Sequence, residues 1–157
     1  MKFSWVAWSW LAGAVGGLVG NGVLGGLFTS PWAQSVLYDP QRQSALFLSI
    51  TPQRNVAVSV AGLVILSSVH GWLYTRLRDR LGGSSWWQRG LRWGAIIWVM
   101  YWLFQEWFIY VTLLGEPVPL AVFELLVLLF GSLVEGFVIA GIMQWVERGA
   151  ARGAGAA

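Results

Sequence analysis

Apolar residues gather in four long runs along the chain, and polar residues occupy the segments between them. The runs cover about residues 5–28, 56–74, 93–111 and 120–145. Each has roughly the 20 residues that a helix needs to cross the hydrocarbon core of a bilayer. The runs are continuous, which argues against the alternating strands of a transmembrane barrel. The pattern predicts an all-α fold, a four-helix transmembrane bundle that forms one domain over residues 1–148.

The segments between the runs predict short surface helices and one tight hairpin. Three pairs in the first long connection, residues 29–55, place a good N-cap before a proline, as at the start of a helix: Ser30-Pro31, Asp39-Pro40 and Thr51-Pro52. We therefore expect two short interfacial helices there, followed by the start of the second span. The stretch "LLGEPVPL" is too short for anything but a tight turn, with Pro119 opening the fourth span. Residues 149–157 have no apolar face and are expected to be a disordered tail.

Composition agrees with lipid as the solvent. The chain is 57% hydrophobic and only 11% charged, whereas soluble domains have about 25% charged residues. It has no cysteine and a single histidine, which excludes disulfides, thiolate metal sites and multi-histidine metal sites within one chain. No nucleotide loop, metal motif or catalytic triad is recognisable. We therefore expect neither an enzyme nor a metal site.

Basic residues are distributed unequally between the two sides of the predicted bundle. Eight of the ten Lys and Arg residues fall on one side, namely Lys2, Arg76, Arg78, Arg80, Arg89, Arg92, Arg148 and Arg152. Arg42 and Arg54 fall on the other side. The positive-inside rule then places both termini and the 75–92 loop in the cytoplasm of a bacterium, with the chain in its inner (cytoplasmic or intracytoplasmic) membrane. We expect the arginines and tryptophans of this loop to contact lipid headgroups, not nucleic acid.

Small residues repeat at a spacing of four in the first span. The pairs are Gly13 with Gly17, Gly16 with Gly20, and Gly22 with Gly26. Such pairs allow another helix to approach backbone to backbone. Two interpretations remain open: packing inside this bundle, or an interface to another subunit or a flat cofactor.

His70 and two tryptophans are the candidate cofactor-binding residues. His70 has the small neighbours Ser67, Ser68 and Gly71, which leave room for a flat haem or chlorophyll-type ring with imidazole as axial ligand. The alternative is a structural hydrogen bond, for example with Glu135. Trp98 and Trp102 lie in the middle of the third span. They either pack against other helices or line a groove for a carotenoid, a quinone, a pigment ring or lipid.

Three carboxylates fall inside predicted spans: Glu106, Glu124 and Glu135. Carboxylates are costly there unless they are paired or protonated. Because spans three and four are antiparallel, we expect Glu106 and Glu124 to lie in the outer half of the membrane, and Glu135 with His70 in the inner half. The three carboxyls are candidates for relaying protons or holding a cation. The alternative is that hydrogen bonds neutralise them.

Two stretches carry a resemblance to a known family. They are "HGWLYTRLRDRLGGSSWWQRGLRWGAIIW" and "LLFGSLVEGFVIAGI". Together they resemble small bacterial integral membrane proteins with four spans, over roughly the C-terminal half of the chain. The resemblance implies the four-helix topology and brings no activity that can be carried over to a residue.

The features together favour a non-catalytic accessory subunit of a larger membrane complex. A glycine-faced span, many intramembrane aromatic residues and no catalytic set suit packing against other integral membrane subunits, lipid or pigment, as in photosynthetic or respiratory complexes. One alternative is a small proton or ion carrier that uses the intramembrane carboxylates. The other is a pigment- or haem-binding protein with His70 as its single ligand.

Overall fold

A computed structural model describes residues 2–37 and 55–154. Within those ranges the chain is helical, with five helices and no strand. The elements are α1 Lys2–Phe28, α2 Pro31–Leu37, α3 Val56–Leu77, α4 Trp86–Leu113 and α5 Val118–Ala154. Helices α1, α3, α4 and α5 are long and apolar enough to cross a membrane. The predicted all-α bundle with four membrane-crossing helices is confirmed.

The third helix begins earlier than its apolar run. The side-chain carbonyl of Gln88 accepts hydrogen bonds from the backbone N–H groups of Ser84 and Ser85, at 3.0 and 3.4 Å. These bonds satisfy donors that a helix start leaves free. Helix α4 therefore begins at Trp86, inside the segment that the hydropathy pattern assigned to a loop.

The sequence predicted a disordered tail from residue 149 onward. That prediction is wrong for residues 149–154, because α5 continues to Ala154. The segment is rich in alanine, which has the highest helix propensity and can extend a helix that is already nucleated. At its other end α5 begins at Val118, so Pro119 lies in the first turn, as the sequence predicts. Proline is tolerated there because the first turn has no intrahelical acceptors for its N–H groups.

In the described part of the first connection, a short helix follows the cap predicted at Ser30-Pro31. Ser30 caps α2 by accepting a hydrogen bond from the backbone N–H of Ala33 at 3.3 Å. The ring of Trp32 meets Phe123 of α5 edge to face, with centroids 5.0 Å apart. The caps expected at Asp39-Pro40 and Thr51-Pro52 lie outside the described residues.

The four long helices pack in the order α3, α1, α5, α4, with α1 against α3 and α5, and α5 against α1 and α4. Helix α3 touches α5 only slightly. Close approach depends on small residues, since a Cβ on Gly94 would lie 2.7 Å from the Cα of Leu133 and one on Gly71 would lie 2.7 Å from the Cα of Gly13. This order leaves a space between α3 and α4.

Helix α4 changes its winding along its length. It is α-helical over Trp86–Ile97 and π-helical over Trp98–Leu103 and Gln105–Leu113. π-Helical turns are rare and occur frequently at functional sites. The second of these segments contains Glu106, one of the predicted intramembrane carboxylates.

Candidate functional site: a carboxylate cluster and a central groove

Three glutamates meet at the end of the bundle where α4 turns into α5. Glu106 comes from α4, Glu116 from the turn and Glu124 from α5. One carboxylate oxygen from each of the three lies within 4.8 Å of the other two. We call these three residues the carboxylate cluster. The cluster lies at the end of α4 and α5 opposite the arginine-rich 75–92 loop.

The turn between α4 and α5 folds Glu116 back into the bundle. Gly115 has φ of +69°, a left-handed conformation that suits glycine. The backbone N–H of Glu116 then donates to the carbonyl of Tyr110 at 2.9 Å. On the other side of Glu116, the carbonyl of Pro117 accepts from the N–H of Leu120 at 2.9 Å, in the first turn of α5. The Glu116 side chain is thereby held beside the two helices.

The cluster is buried and poorly satisfied. Glu106 and Glu116 are 2% and 3% exposed. Glu106 and Glu124 share a side-chain hydrogen bond. Within the described part of the chain, Oε2 of Glu106 and both carboxylate oxygens of Glu116 have no hydrogen-bond partner. Burial, and then the nearby charge of Glu124, raises the pKa of Glu116 to about 7. Such groups are expensive unless a proton or a cation compensates them.

The structure divides the three predicted carboxylates into two groups. Glu106 and Glu124 lie together, as their depths in antiparallel helices predict. Glu135 lies eleven residues after Glu124 on α5, about 16 Å along the axis at 1.5 Å per residue. It pairs instead with His70, whose Nδ1 is 2.8 Å from its Oε1. The cluster gains Glu116, which the sequence reasoning missed because it treated the short turn only as a connection.

The His70–Glu135 pair borders a cavity between α3 and α4, which we call the central groove. Its volume is about 460 Å³, within the usual range of ligand pockets. The polar residues lining it are Asn21, Ser59, Ser67, His70, Tyr101 and Glu135. It extends along α3 from Val58 to His70. One turn beyond His70, Tyr74 belongs to a buried apolar cluster with Trp93 and Ile97, so the groove ends near His70.

The pairing with Glu135 has a consequence for the other nitrogen of His70. In the tautomer whose Nδ1–H donates to Glu135, a neutral imidazole keeps a lone pair on Nε2. Among the hydrogen bonds of the described residues, none uses Nε2. The sequence predicted the pair with Glu135 as the alternative to cofactor ligation. The pair with Glu135 and ligation of a cofactor are compatible in this geometry, because the pair uses Nδ1 and leaves Nε2 for a ligand.

The two tryptophans of the predicted cofactor site have different surroundings. Trp102 lines the central groove beside Tyr101. Trp98 is not among the lining residues, and its indole N–H donates to the backbone carbonyl of Leu125 at 2.8 Å. Trp98 therefore joins α4 to α5, and only Trp102 is positioned to contact a ligand in the groove.

Some small residues of α1 pack against other helices of the chain, and others face away from them. Cβ atoms on Gly13 and Gly17 would meet Ser67 of α3. Cβ atoms on Gly16 and Gly20 would meet α5, near Ile139 and Glu135. These four glycines thus form interfaces within the chain. Gly22 and Gly26 have no other atoms within 4 Å of such a Cβ, so this third pair faces away from the described bundle.

At the opposite end, several arginines make contacts within the chain itself. Arg78 pairs with Glu147 of α5 and lies over the Trp5 ring, 5.3 Å from its centroid. Arg92 donates to the carbonyl of Leu81 at 2.8 Å. These contacts tie the 75–92 loop to three of the long helices. The expected contact of this loop with lipid headgroups remains a prediction.

No protein-family model, curated protein or solved structure matches this chain. The resemblance to small bacterial four-span proteins therefore remains a prediction. The function must be inferred from the two polar sites themselves, the carboxylate cluster and the central groove.

Proposed function

We propose that this protein is a non-catalytic membrane protein that binds a flat, largely apolar ring compound in the central groove. The ligand class that suits the site best is a metal-centred macrocycle of the haem or chlorophyll type. Nε2 of His70 would be its axial ligand, since an imidazole held at Nδ1 by a carboxylate is a common arrangement in metal ligation. The observation that carries the proposal is the His70–Glu135 pair at the closed end of the groove.

The shape of the groove supports a flat ligand. On its α3 wall, the small residues Ser59, Gly62 and Ser67 alternate with larger apolar side chains. Its α4 wall brings Tyr101 and Trp102, whose rings can pack on a macrocycle. The groove opens between two helices, where an apolar ligand could enter from the bilayer. His70 and Glu135 form a polar pair in the groove lining, as expected for a pocket with one orienting contact.

The proposal is tested by the absorption spectrum of the protein extracted gently from its native membrane. We expect a visible band that is lost in His70→Ala. Thr75→Ala is the matched control, because Thr75 lies on the same helix outside the groove lining and should leave the band unchanged. A wild-type protein without visible absorption, or a band that persists in His70→Ala, would contradict ligation by His70.

We also propose, as a second function, that the chain is an accessory subunit that packs against other membrane helices. Gly22, Gly25 and Gly26 of α1 have open space where a Cβ would lie. Small residues on exposed membrane helices suit close helix contacts. Only 17% and 11% of the most apolar windows of spans two and three are buried within the chain. Much of its surface is therefore available to lipid or to a partner.

Native mass analysis of the gently extracted protein tests the subunit proposal. We expect a complex with other membrane proteins that is weakened by Gly26→Leu. Val19→Leu is the control, because Val19 is already an exposed apolar residue on α1. A wild-type protein that is recovered only as a monomer or small homo-oligomer would contradict this function, whatever its spectrum.

A further inference from the structure

We propose that Glu106, Glu116 and Glu124 bind one divalent cation of the Ca²⁺ type at the end of the bundle opposite the 75–92 loop. This binding site lies outside the central groove and does not depend on the function proposed for it. The sequence suggested that Glu106 and Glu124 could hold a cation, together with Glu135. The structure replaces Glu135 by Glu116 and so changes both the composition and the place of the site.

The spacing of the oxygens agrees with a shared cation. Ca²⁺ binds oxygen ligands at about 2.3–2.6 Å, so two ligands of one ion lie at most about 5 Å apart. The three carboxylates offer oxygens within 4.8 Å of one another. They come from α4, the turn and α5, so they approach from different directions. A cation could therefore bind with small side-chain adjustments.

The unsatisfied oxygens provide a second, separate indication of a ligand. Glu116 is only 3% exposed, yet neither of its carboxylate oxygens has a hydrogen-bond partner among the described residues. Oε2 of Glu106, a residue that is 2% exposed, is a third such oxygen. Buried polar atoms in folded proteins are normally satisfied. A bound cation would satisfy these oxygens together.

The chemistry of the ligands selects the kind of ion. The cluster offers carboxylate oxygens and no nitrogen or sulfur, which suits hard cations such as Ca²⁺ and Mg²⁺. Mg²⁺ demands near-ideal octahedral geometry and keeps several waters, whereas Ca²⁺ accepts irregular oxygen ligands. A buried, irregular cluster thus favours Ca²⁺. The described Lys and Arg residues all belong to the other end of the bundle.

The position of Glu116 sets where the site lies along the bundle. It lies between the two spans Trp86–Leu113 and Val118–Arg152, in the turn at the end of the bundle. The proposed site therefore includes a ligand from outside the membrane-spanning helices. The same position makes Glu116 the best residue to change, because its replacement does not alter a membrane-spanning helix.

The test is calorimetric titration of Ca²⁺ into the purified full chain after treatment with a chelator, at pH 8. We expect one ion per chain, and we expect Glu116→Gln to weaken the affinity at least about tenfold, because it removes one charged ligand. Asp79→Asn is the control, since Asp79 is an exposed carboxylate in the 75–92 loop and the variant should bind Ca²⁺ as wild type does. Glu106→Gln and Glu124→Gln should also weaken binding.

A second measurement keeps the test decisive if the variants within helices fail to fold. Ca²⁺ should raise the midpoint of thermal unfolding of wild type and Asp79→Asn, and raise it less in Glu116→Gln. No heat and no thermal shift in wild type would overturn the proposal. So would an affinity in Glu116→Gln equal to that of wild type. Neither result depends on the visible spectrum, so this site and the groove are tested separately.

Discussion

Glu116 joins Glu106 and Glu124 in the carboxylate cluster through the path of the turn between α4 and α5. The depths of Glu106 and Glu124 follow from the direction of their helices and the fixed rise per residue, so their meeting was predictable. The path of a turn is not encoded in hydropathy. Only the left-handed Gly115 and the bond from the Glu116 N–H to Tyr110 bring this carboxylate back to the bundle. An acidic residue in a very short turn between two apolar helices that each contain a glutamate is the signal that could have revealed it.

Glu116 should make stability depend on pH when no metal is present. Its pKa is raised from 4.5 to about 7 in the folded chain, so between these values the folded state binds more protons than the unfolded state. The free energy of unfolding should therefore fall as pH rises from about 4.5 to about 7, by up to about 3 kcal/mol for this group. Chemical or thermal unfolding in detergent with a chelator measures this fall.

Glu116→Gln should lessen the fall, because an amide does not ionise. Asp79→Asn should retain it, since Asp79 is exposed and distant from the cluster. Stability that rises or stays level across the same pH interval in wild type would show that burial of Glu116 does not govern this behaviour.

At the scale of elements, the apolar runs predicted where helices cross but not how they end or wind. Hydrogen bonds from Ser84 and Ser85 to Gln88 begin α4 early, and alanines carry α5 to Ala154. The π-helical winding of α4 has no counterpart in the hydropathy pattern. The glycine spacing of α1 predicted close packing, yet it did not tell which pair would face a neighbour within the chain.

Two glycine substitutions should have opposite effects on stability. Gly94→Ala places a Cβ where the backbone of Leu133 lies, and we expect a loss of about 1–3 kcal/mol from overpacking. Gly22→Ala meets open space and should gain up to about 1 kcal/mol from the higher helix propensity of alanine. Unfolding of the purified chain in detergent measures both. A destabilising Gly22→Ala would mean that this face of α1 is occupied in the isolated chain.

At the scale of the whole molecule, charge asymmetry predicts an orientation that the fold leaves open. Helix count and order are the same whichever side of the membrane the arginines occupy. The order α3, α1, α5, α4 could not be predicted, because apolar runs do not specify which helices become neighbours. Only the partners of particular residues do, such as Ser67 beside Gly13 and Leu133 beside Gly94.

Labelling of introduced cysteines should settle the orientation. The chain has no cysteine of its own, so each single variant reports one position. An impermeant thiol reagent should label Ser35→Cys on α2 in intact cells, because that end is expected to face outward. Ser84→Cys, in the arginine-rich loop, should react only after the membrane is opened. The reverse pattern would show that the distribution of basic residues does not set the topology here.

The packing order also bears on how the molecule is put together. Helices α1 and α3 form one pair and α4 and α5 another, and the seam between α1 and α5 is the main contact that joins them. The chain passes from the first pair to the second through the turn at Gly82 and Gly83. We therefore expect each helix pair to form first during membrane insertion, and the two pairs then to associate through the contact between α1 and α5. A polypeptide cut at that turn and supplied as two fragments should still reunite into the native bundle.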